Sequence, residues 1–227
     1  MFRRYLLGRI HLSQGNSREA KLQADLIVRM PSAGLQISDL LNAGVLYVRA
    51  GRIDKARLVL RLIDDAEKQF PSSSNQSSFH NLEGEIWLAD ARPVEAERSF
   101  TTAVQEYPRV LSHTGLARAY QAQRNWGLAT RYWEQVLRGR GEILHNDFPA
   151  DLAYAHLELG RLYRQMKKPD IARSHYEEIL RMWPQADESS LLRDARRALQ
   201  ELTSELHATK DTRDIVTTGS SSNVKSK

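Results

Sequence analysis

Hydrophobic positions along the chain recur at three- and four-residue intervals and are broken into short runs by polar punctuation, which is the signature of amphipathic helices. Five segments carry the pattern, starting near Tyr5, Leu40, His80, His113 and His156. Each reads as two helices of about 13 residues joined by a tight turn. Small residues fix the register. Gly8, Gly44, Gly84, Ala117 and Gly160 are followed, 12 residues later, by Ala20, Ala56, Ala96, Ala129 and Ala172. Helix axes that approach closely leave no room for a branched side chain at the crossing. The expectation is therefore that the two helices of one hairpin meet at these points. Larger residues follow each small one at fixed offsets. His11, Tyr47, Trp87, Tyr120 and Tyr163 come three after the first of the pair, and Ala24, Leu60, Phe100, Trp133 and Tyr176 four after the alanine. Pro31, Pro71, Pro108 and Pro184 follow second helices and end them, while Pro93 and Pro169 sit at helix starts, where proline is tolerated.

These residues resemble the tetratricopeptide repeat (TPR), a 34-residue helix pair with W-x2-L-G-x2-Y followed by A, F, A and P. The third unit supplies Gly84, Trp87, Ala96, Phe100, Ala103 and Pro108; the fifth supplies Leu159, Gly160, Tyr163, Ala172, Tyr176 and Pro184. The resemblance implies an all-α, right-handed α-solenoid of about five helix pairs over residues 1–206, with units near 1–34, 37–71, 77–110, 110–143 and 153–186. The segment 188–206 is expected to be a capping helix, with apolar residues from Leu191 to Leu202, and 207–227 a disordered tail poor in large apolar residues. Two departures stand out: a polar link PSSSNQSS after Phe70, and the insertion Arg138–Asp151 in place of a closing proline.

A finer resemblance lies in GEILHNDFPADLAYAHLELGRLYRQ and YEEILRMWPQADESSLLRDARRALQEL. These are similar to the C-terminal TPR regions of bacterial multidomain signalling proteins, serine/threonine kinases and winged-helix regulators, which implies a regulatory setting. Kinase motifs and room for a winged helix are both lacking in this sequence. The first repeat starts at Met1 without a capping turn, so Phe2, Tyr5 and Leu6 form an expected apolar edge. Either upstream sequence or another chain would cover it, and a homo-oligomer through this N-terminal repeat follows from the second case.

Composition narrows the function. The 227 residues hold no Cys, which removes disulfides, thiolate metal sites and cysteine nucleophiles. No apolar run approaches the roughly 18 residues of a membrane span, and Arg9 and His11 interrupt the N-terminal apolar stretch, so the expected location is cytoplasmic. His80, His113 and His156 recur at one repeat position, but stacked repeats lie about 10 Å apart, too far to share a zinc ion. They are expected to pack at the seam between repeats. His145 with Asp147, and His175 with Glu177 and Glu178, lack H-E-x-x-H spacing. Ser–His neighbours at 112–113 and 174–175 point about 100° apart on a helix, and Gly139–Gly141 is no phosphate loop. No catalytic residue, cofactor or metal is expected, and the chain reads as a non-enzyme. Trp87, Trp126, Trp133 and Trp183 are expected in core or seam packing rather than in a ligand cage.

The partner reading comes from the helix faces. In a right-handed stack the first helices line the concave side, a groove suited to a peptide or helix. The residues after the small ones (Arg9, Val45, Glu85, Arg118 and Arg161), those four further on (including Arg49), and the flanking Asn42, Asn81, Gln121, Glu158 and Arg164 should face it. The expected binding set is Arg9, Asn42, Arg49, Asn81, Glu85, Arg118, Gln121, Arg161 and Arg164. Arginine forks hold carboxylates and asparagine pairs with a peptide backbone, so the expected partner is an extended or helical protein segment, acidic in part. The lysine–asparagine carboxylate clamp of some TPR proteins lacks its lysines here. Of 33 basic residues 25 are Arg against 28 acids, a net charge of +5. That excess raises nucleic-acid binding as an alternative, but no recognition motif supports it.

Overall fold

The computed structural model describes residues 2–30, 36–141, 149–182 and 190–220. Among these the structure is all-helical: α1 (Phe2–Ser13), α2 (Ser17–Val28), α3 (Ile37–Arg49), α4 (Ile53–Gln69), α5 (Ser73–Ala89), α6 (Pro93–Glu106), α7 (Val110–Ala122), α8 (Trp126–Arg138), α9 (Pro149–Gln165), α10 (Pro169–Met182) and α11 (Ser190–Ser220). Pro31, Pro184, Trp183 and the His145–Asp147 loop lie outside the described residues, as do 221–227 of the expected tail. The chain forms two compact units, Met1–Asn146 with α1–α8 and Asp147–Lys227 with α9–α11.

In the first unit consecutive helices pair as hairpins, and each hairpin packs on the next, α2 on α3, α4 on α5 and α6 on α7. The first helices α1, α3, α5 and α7 also touch in chain order. Every hairpin turn is built alike, in both units. The residue seven after the small one is left-handed: Gly15, Gly51, Ala91, Arg124 and Lys167, with φ of 77°, 74°, 58°, 58° and 57°. The next residue's N–H then returns to the carbonyl of His11, Tyr47, Trp87, Tyr120 or Tyr163 at 2.8–2.9 Å, closing the helix end. The positions three after the small residue thus carry the turn as well as packing.

The small residues do lie at close crossings, but not all at the expected one. A Cβ on Gly84 would fall 2.8 Å from the Phe100 ring, and one on Gly160 would strike the Tyr176 ring, both within the same hairpin. On Gly8 it would meet Leu46 at 2.6 Å, and on Gly44 it would meet Leu82, both from the first helix of the following hairpin. The physical reason lies four residues after the alanine. Where an aromatic ring stands there, it fills the space over the glycine. Where Ala24 or Leu60 stands instead, a leucine of the next hairpin enters. Phe100, Trp133 and Tyr176 are all at most 1 % exposed, each burial contributing about 1.5–3 kcal/mol.

Tyrosine hydroxyls tie hairpins together in the first unit. Tyr47 donates to Asp25 Oδ1 of α2 at 2.7 Å, and Lys21 and Lys55 also bind that carboxylate. Burial opposes ionisation of Asp25, yet these hydrogen bonds outweigh it and hold its pKa well below the usual range. Tyr120 repeats the motif on Glu97 of α6 at 3.0 Å, and burial with that bond pushes its pKa up to about 12.

One expectation about a local boundary changes. The polar run PSSSNQSS is helical from Ser73 onward, because the Ser72 hydroxyl caps the Asn75 N–H and Asn75 Nδ2 binds the Phe70 carbonyl. In the second unit, Leu192, Ala195 and Leu202 of α11 are buried with Ala153, Leu157, Ala172, Tyr176 and Ile179 of α9 and α10, as a capping helix requires. The helical backbone of α11 continues to Ser220. Extending an existing helix needs no new nucleus, so polar residues can follow it.

Candidate functional site

The first-helix face of unit 1 is built by α3, α5 and α7. Glu85, one residue after Gly84, is fully buried and accepts from the Arg118 guanidinium at 2.6 Å. Burial would raise its pKa, but the charges of Arg118 and Arg49 and the Arg118 hydrogen bond outweigh that and lower it. Glu85 is therefore an ionised, buried carboxylate between arginines of the helices on either side. Arg49 is exposed, and the Arg118 side chain is 29 % exposed. One turn back on α5, Asn81 is buried and its Nδ2 donates to the Ser77 carbonyl at 2.8 Å. The Ser77 hydroxyl in turn donates to the Tyr107 carbonyl at 2.9 Å. Asn81 Oδ1, Glu85 Oε2 and the Ser112 hydroxyl oxygen of α7 are buried without a hydrogen-bond partner among the described residues. Unsatisfied buried acceptors are costly and rare.

The remaining predicted residues are placed differently. Arg9 is half-buried and stacks on Tyr5 of its own helix, 5.8 Å from the ring centre. Asn42 is half-buried, and Val45 is buried in the core. Gln121 accepts from Trp133 Nε1 at 2.8 Å inside its own hairpin, so its carbonyl braces the core. Arg161 and Arg164 lie in unit 2 and bind acids there. Arg161 pairs with Glu158 at 2.6 Å and Asp194 at 3.2 Å, and Arg164 with Glu201 at 2.8 Å and with Glu205. Arg197 joins Asp194 at 3.0 Å.

Sequence reasoning did not find Asp194, Glu201 and Glu205, although a signal exists. Glu85–Arg118 and Arg161–Asp194 are each 33 residues apart, about one repeat, so opposite charges at that separation mark side chains that stack on neighbouring helices. Asp194 thus puts α11 in the place of one more first helix. The histidines also settle differently from the expected seam. His80 binds Glu83 of its own helix at 3.2 Å. His113 stacks on Tyr132 at 6.1 Å, and His156 Nδ1 lies 2.9 Å from His175 Nδ1, both inside one hairpin. Among the described residues no group of His, Asp and Glu is arranged to hold a metal ion, and no helix is long and apolar enough to cross a membrane.

Residues 108–185 match the tetratricopeptide repeat family model. Solved structures share the fold. A thermophilic TPR protein of Thermus thermophilus is similar at 16 % identity and TM-score 0.63, over 87 % of this chain and 98 % of that one. Yeast Tom70 aligns at 15 % identity and TM-score 0.58, over 97 % of this chain and 43 % of Tom70. A chain of the APC/C hetero-tetramer Cut9-Hcn1 aligns at 17 % identity and TM-score 0.57, over 86 % and 34 %. The present chain therefore spans about a third of the Cut9-Hcn1 chain. No curated protein matches it. The fold is that of tetratricopeptide-repeat proteins, and residues 108–185 match the repeat itself.

Proposed function

We propose that this chain is a non-catalytic protein-interaction scaffold that holds a protein segment, extended or helical, against the face of its first helices. The observation that carries this reading is the row Arg49–Glu85–Arg118, in which a buried carboxylate is flanked by arginines of the neighbouring first helices. Glu85 fixes Arg118, and Arg49 stands exposed. Carboxylates on the segment would meet Arg49. A scaffold of this kind suits an assembly, and a chain of similar fold is found in the Cut9-Hcn1 hetero-tetramer. The setting we assign is a cytoplasmic bacterial signalling or regulatory complex, on the sequence resemblance of 141–165 and 176–202.

The test is site-specific photo-crosslinking in native extract, with the crosslinker at Asn42 or Arg49 on first helix α3 and at exposed Arg61 on second helix α4 as control. The reading expects one protein captured from positions 42 and 49 and not from 61. Arg49→Ala with Arg118→Ala should weaken that partner by at least about 1 kcal/mol, the loss of charged hydrogen bonds. Equal capture from all three positions, or full affinity in a folded double variant, would refute it.

A second reading has its own observation. Leu7, Ile10 and Leu22 on α1 and α2 are 37 %, 42 % and 45 % exposed, an apolar surface that suits self-association through the first hairpin. Sedimentation at tens of micromolar decides it: a strict monomer removes this reading and leaves the first untouched.

A further inference from the structure

Unit 2 holds a cleft of about 400 Å³ between α9, α10 and α11, with walls that include Arg161, Arg164, Arg197, Asp194 and Glu201 and with Tyr176 at its base. Tyr176 is fully buried, and its hydroxyl has no hydrogen-bond partner among the described residues. Burial raises its pKa, while Arg164 and Arg161 oppose the rise and Glu158 and Glu201 reinforce it, which sets the hydroxyl amid all four charges. An uncharged donor with nothing to bind, at the base of a cleft whose walls are charged, needs a visitor.

The wall charges decide its chemistry. Each arginine is already held by an acid: Arg161 by Glu158 and Asp194, Arg164 by Glu201 and Glu205, Arg197 by Asp194. A carboxylate entering here would compete with those acids for the same forks and meet Asp194 and Glu201 as like charges. A cation would meet the arginines. A neutral primary carboxamide meets neither penalty. Its oxygen accepts from the Tyr176 hydroxyl and from an arginine, and its two N–H groups find Asp194 and Glu201. A main-chain amide has one N–H and fills only part of this set.

We propose that the cleft is a subsite for the side-chain carboxamide of an Asn or Gln in the partner segment. It rests on the scaffold reading for its biological use, but it is a separate claim about this cleft, and it differs from the acidic segment expected at Arg49.

The probes are N-acetyl-glutamine-N-methylamide, its isosteric glutamate analogue, and N-acetyl-alanine-N-methylamide, which offers backbone amides alone. Each is titrated into the full chain while the arginine Nε–H and tyrosine ring signals are followed by NMR. The glutamine probe should saturate and shift signals of Arg161, Arg164 and Tyr176, with affinity at least about fivefold above either analogue, since a polar site left partly unpaired discriminates strongly. Tyr176→Phe should abolish that preference while retaining the helical circular-dichroism spectrum. Should Tyr176→Phe fail to fold, Asp194→Asn gives the same reading from the rim, where it should cut the preference. Tighter or equal binding of the glutamate probe, equal binding of the alanine probe, or no saturation by any probe at 100-fold excess or more overturns the proposal. None of these results bears on crosslinking at Asn42 and Arg49, so the two claims fail separately.

Discussion

The repeated turn gives the sharpest check on the architecture, because one backbone conformation is met by glycine twice and by other residues three times. Ala91, Arg124 and Lys167 hold φ near +57° to +58°, the region where a Cβ crowds the following carbonyl. That crowding costs about 1–2 kcal/mol for an L-residue. Glycine removes it but gives back about 0.5–1 kcal/mol through the freedom of the unfolded chain. Ala91→Gly and Arg124→Gly in unit 1, and Lys167→Gly in unit 2, should therefore each stabilise by about 0.5–1 kcal/mol. The reverse change is a clean control. A Cβ on Gly51 would meet nothing within 4 Å, so Gly51→Ala carries backbone strain with no clash and should destabilise by a similar amount, about 0.5–1 kcal/mol. Urea unfolding followed by circular dichroism reads the effect as a midpoint shift of about 0.3–0.5 M at a slope near 2 kcal/mol/M. The slope itself should not change. A lower midpoint for Ala91→Gly and Arg124→Gly, or a higher one for Gly51→Ala, would show that these turns are not the left-handed closures described.

Gly84→Ala drives a methyl into the Phe100 ring, itself confined between Gly84 and Gly115, and should cost about 1–3 kcal/mol of overpacking, whereas at Gly8→Ala the methyl meets the rotatable but fully buried Leu46, so that clash is set against a helix-propensity gain of about 1 kcal/mol and the net loss should be the smaller in the same urea assay. Glu85→Gln keeps the shape but removes the charge that Arg118 binds, so it should lower unit 1 stability by about 1–3 kcal/mol, and an unchanged midpoint would discount the buried pair. Burial holds the His156 pKa below its ordinary value, so the unfolded chain takes up a proton first as pH falls. The stability due to this group is full above about pH 6.5 and declines as pH drops through the lowered folded pKa. His156→Gln should flatten that part of the melting-temperature profile between pH 7.5 and 5, and an unaltered profile would shift the cause to another group.

Much of the fold was legible because the repeat is written in small residues. The 12-residue interval from Gly84 to Ala96 and from Gly160 to Ala172 sets the hairpin phase, and the structure keeps that phase in every unit. What the spacing could not tell was which neighbour fills the space over a glycine. That depends on the volume offered by a residue 16 positions on, which is why Gly8 and Gly44 meet a different helix from Gly84 and Gly160. The polar run after Phe70 misled because serine and asparagine mark turns and helix caps equally well, and here Ser72 is a cap. The candidate face was half legible. Arg49 stands exposed as read, but Asn81 and Glu85 are interior, and Gln121 is taken by Trp133. Helical phase gives a side chain's direction, not the partner that reaches it from the next helix.

That difference separates the two sets of arginines by how readily they can change partners. Arg118 is bound to a carboxylate with no exposed surface, and releasing it would leave a bare buried charge, so Glu85 holds it in place through any binding event. The acids facing Arg161 and Arg164 from α11 are side chains 36 %, 48 % and 54 % exposed at Asp194, Glu201 and Glu205. Water can replace an arginine there at little cost, because exposed ion pairs are weak. Unit 1 therefore offers a rigid charged row, whereas unit 2 offers in Arg164 an arginine that can turn toward a new oxygen without stranding an acid, Arg161 being held as well by the buried Glu158. Substitutions in the two units should therefore differ in effect. Loss of Arg118 should loosen every segment alike, while changes at Tyr176 or Asp194 should alter which segment is preferred.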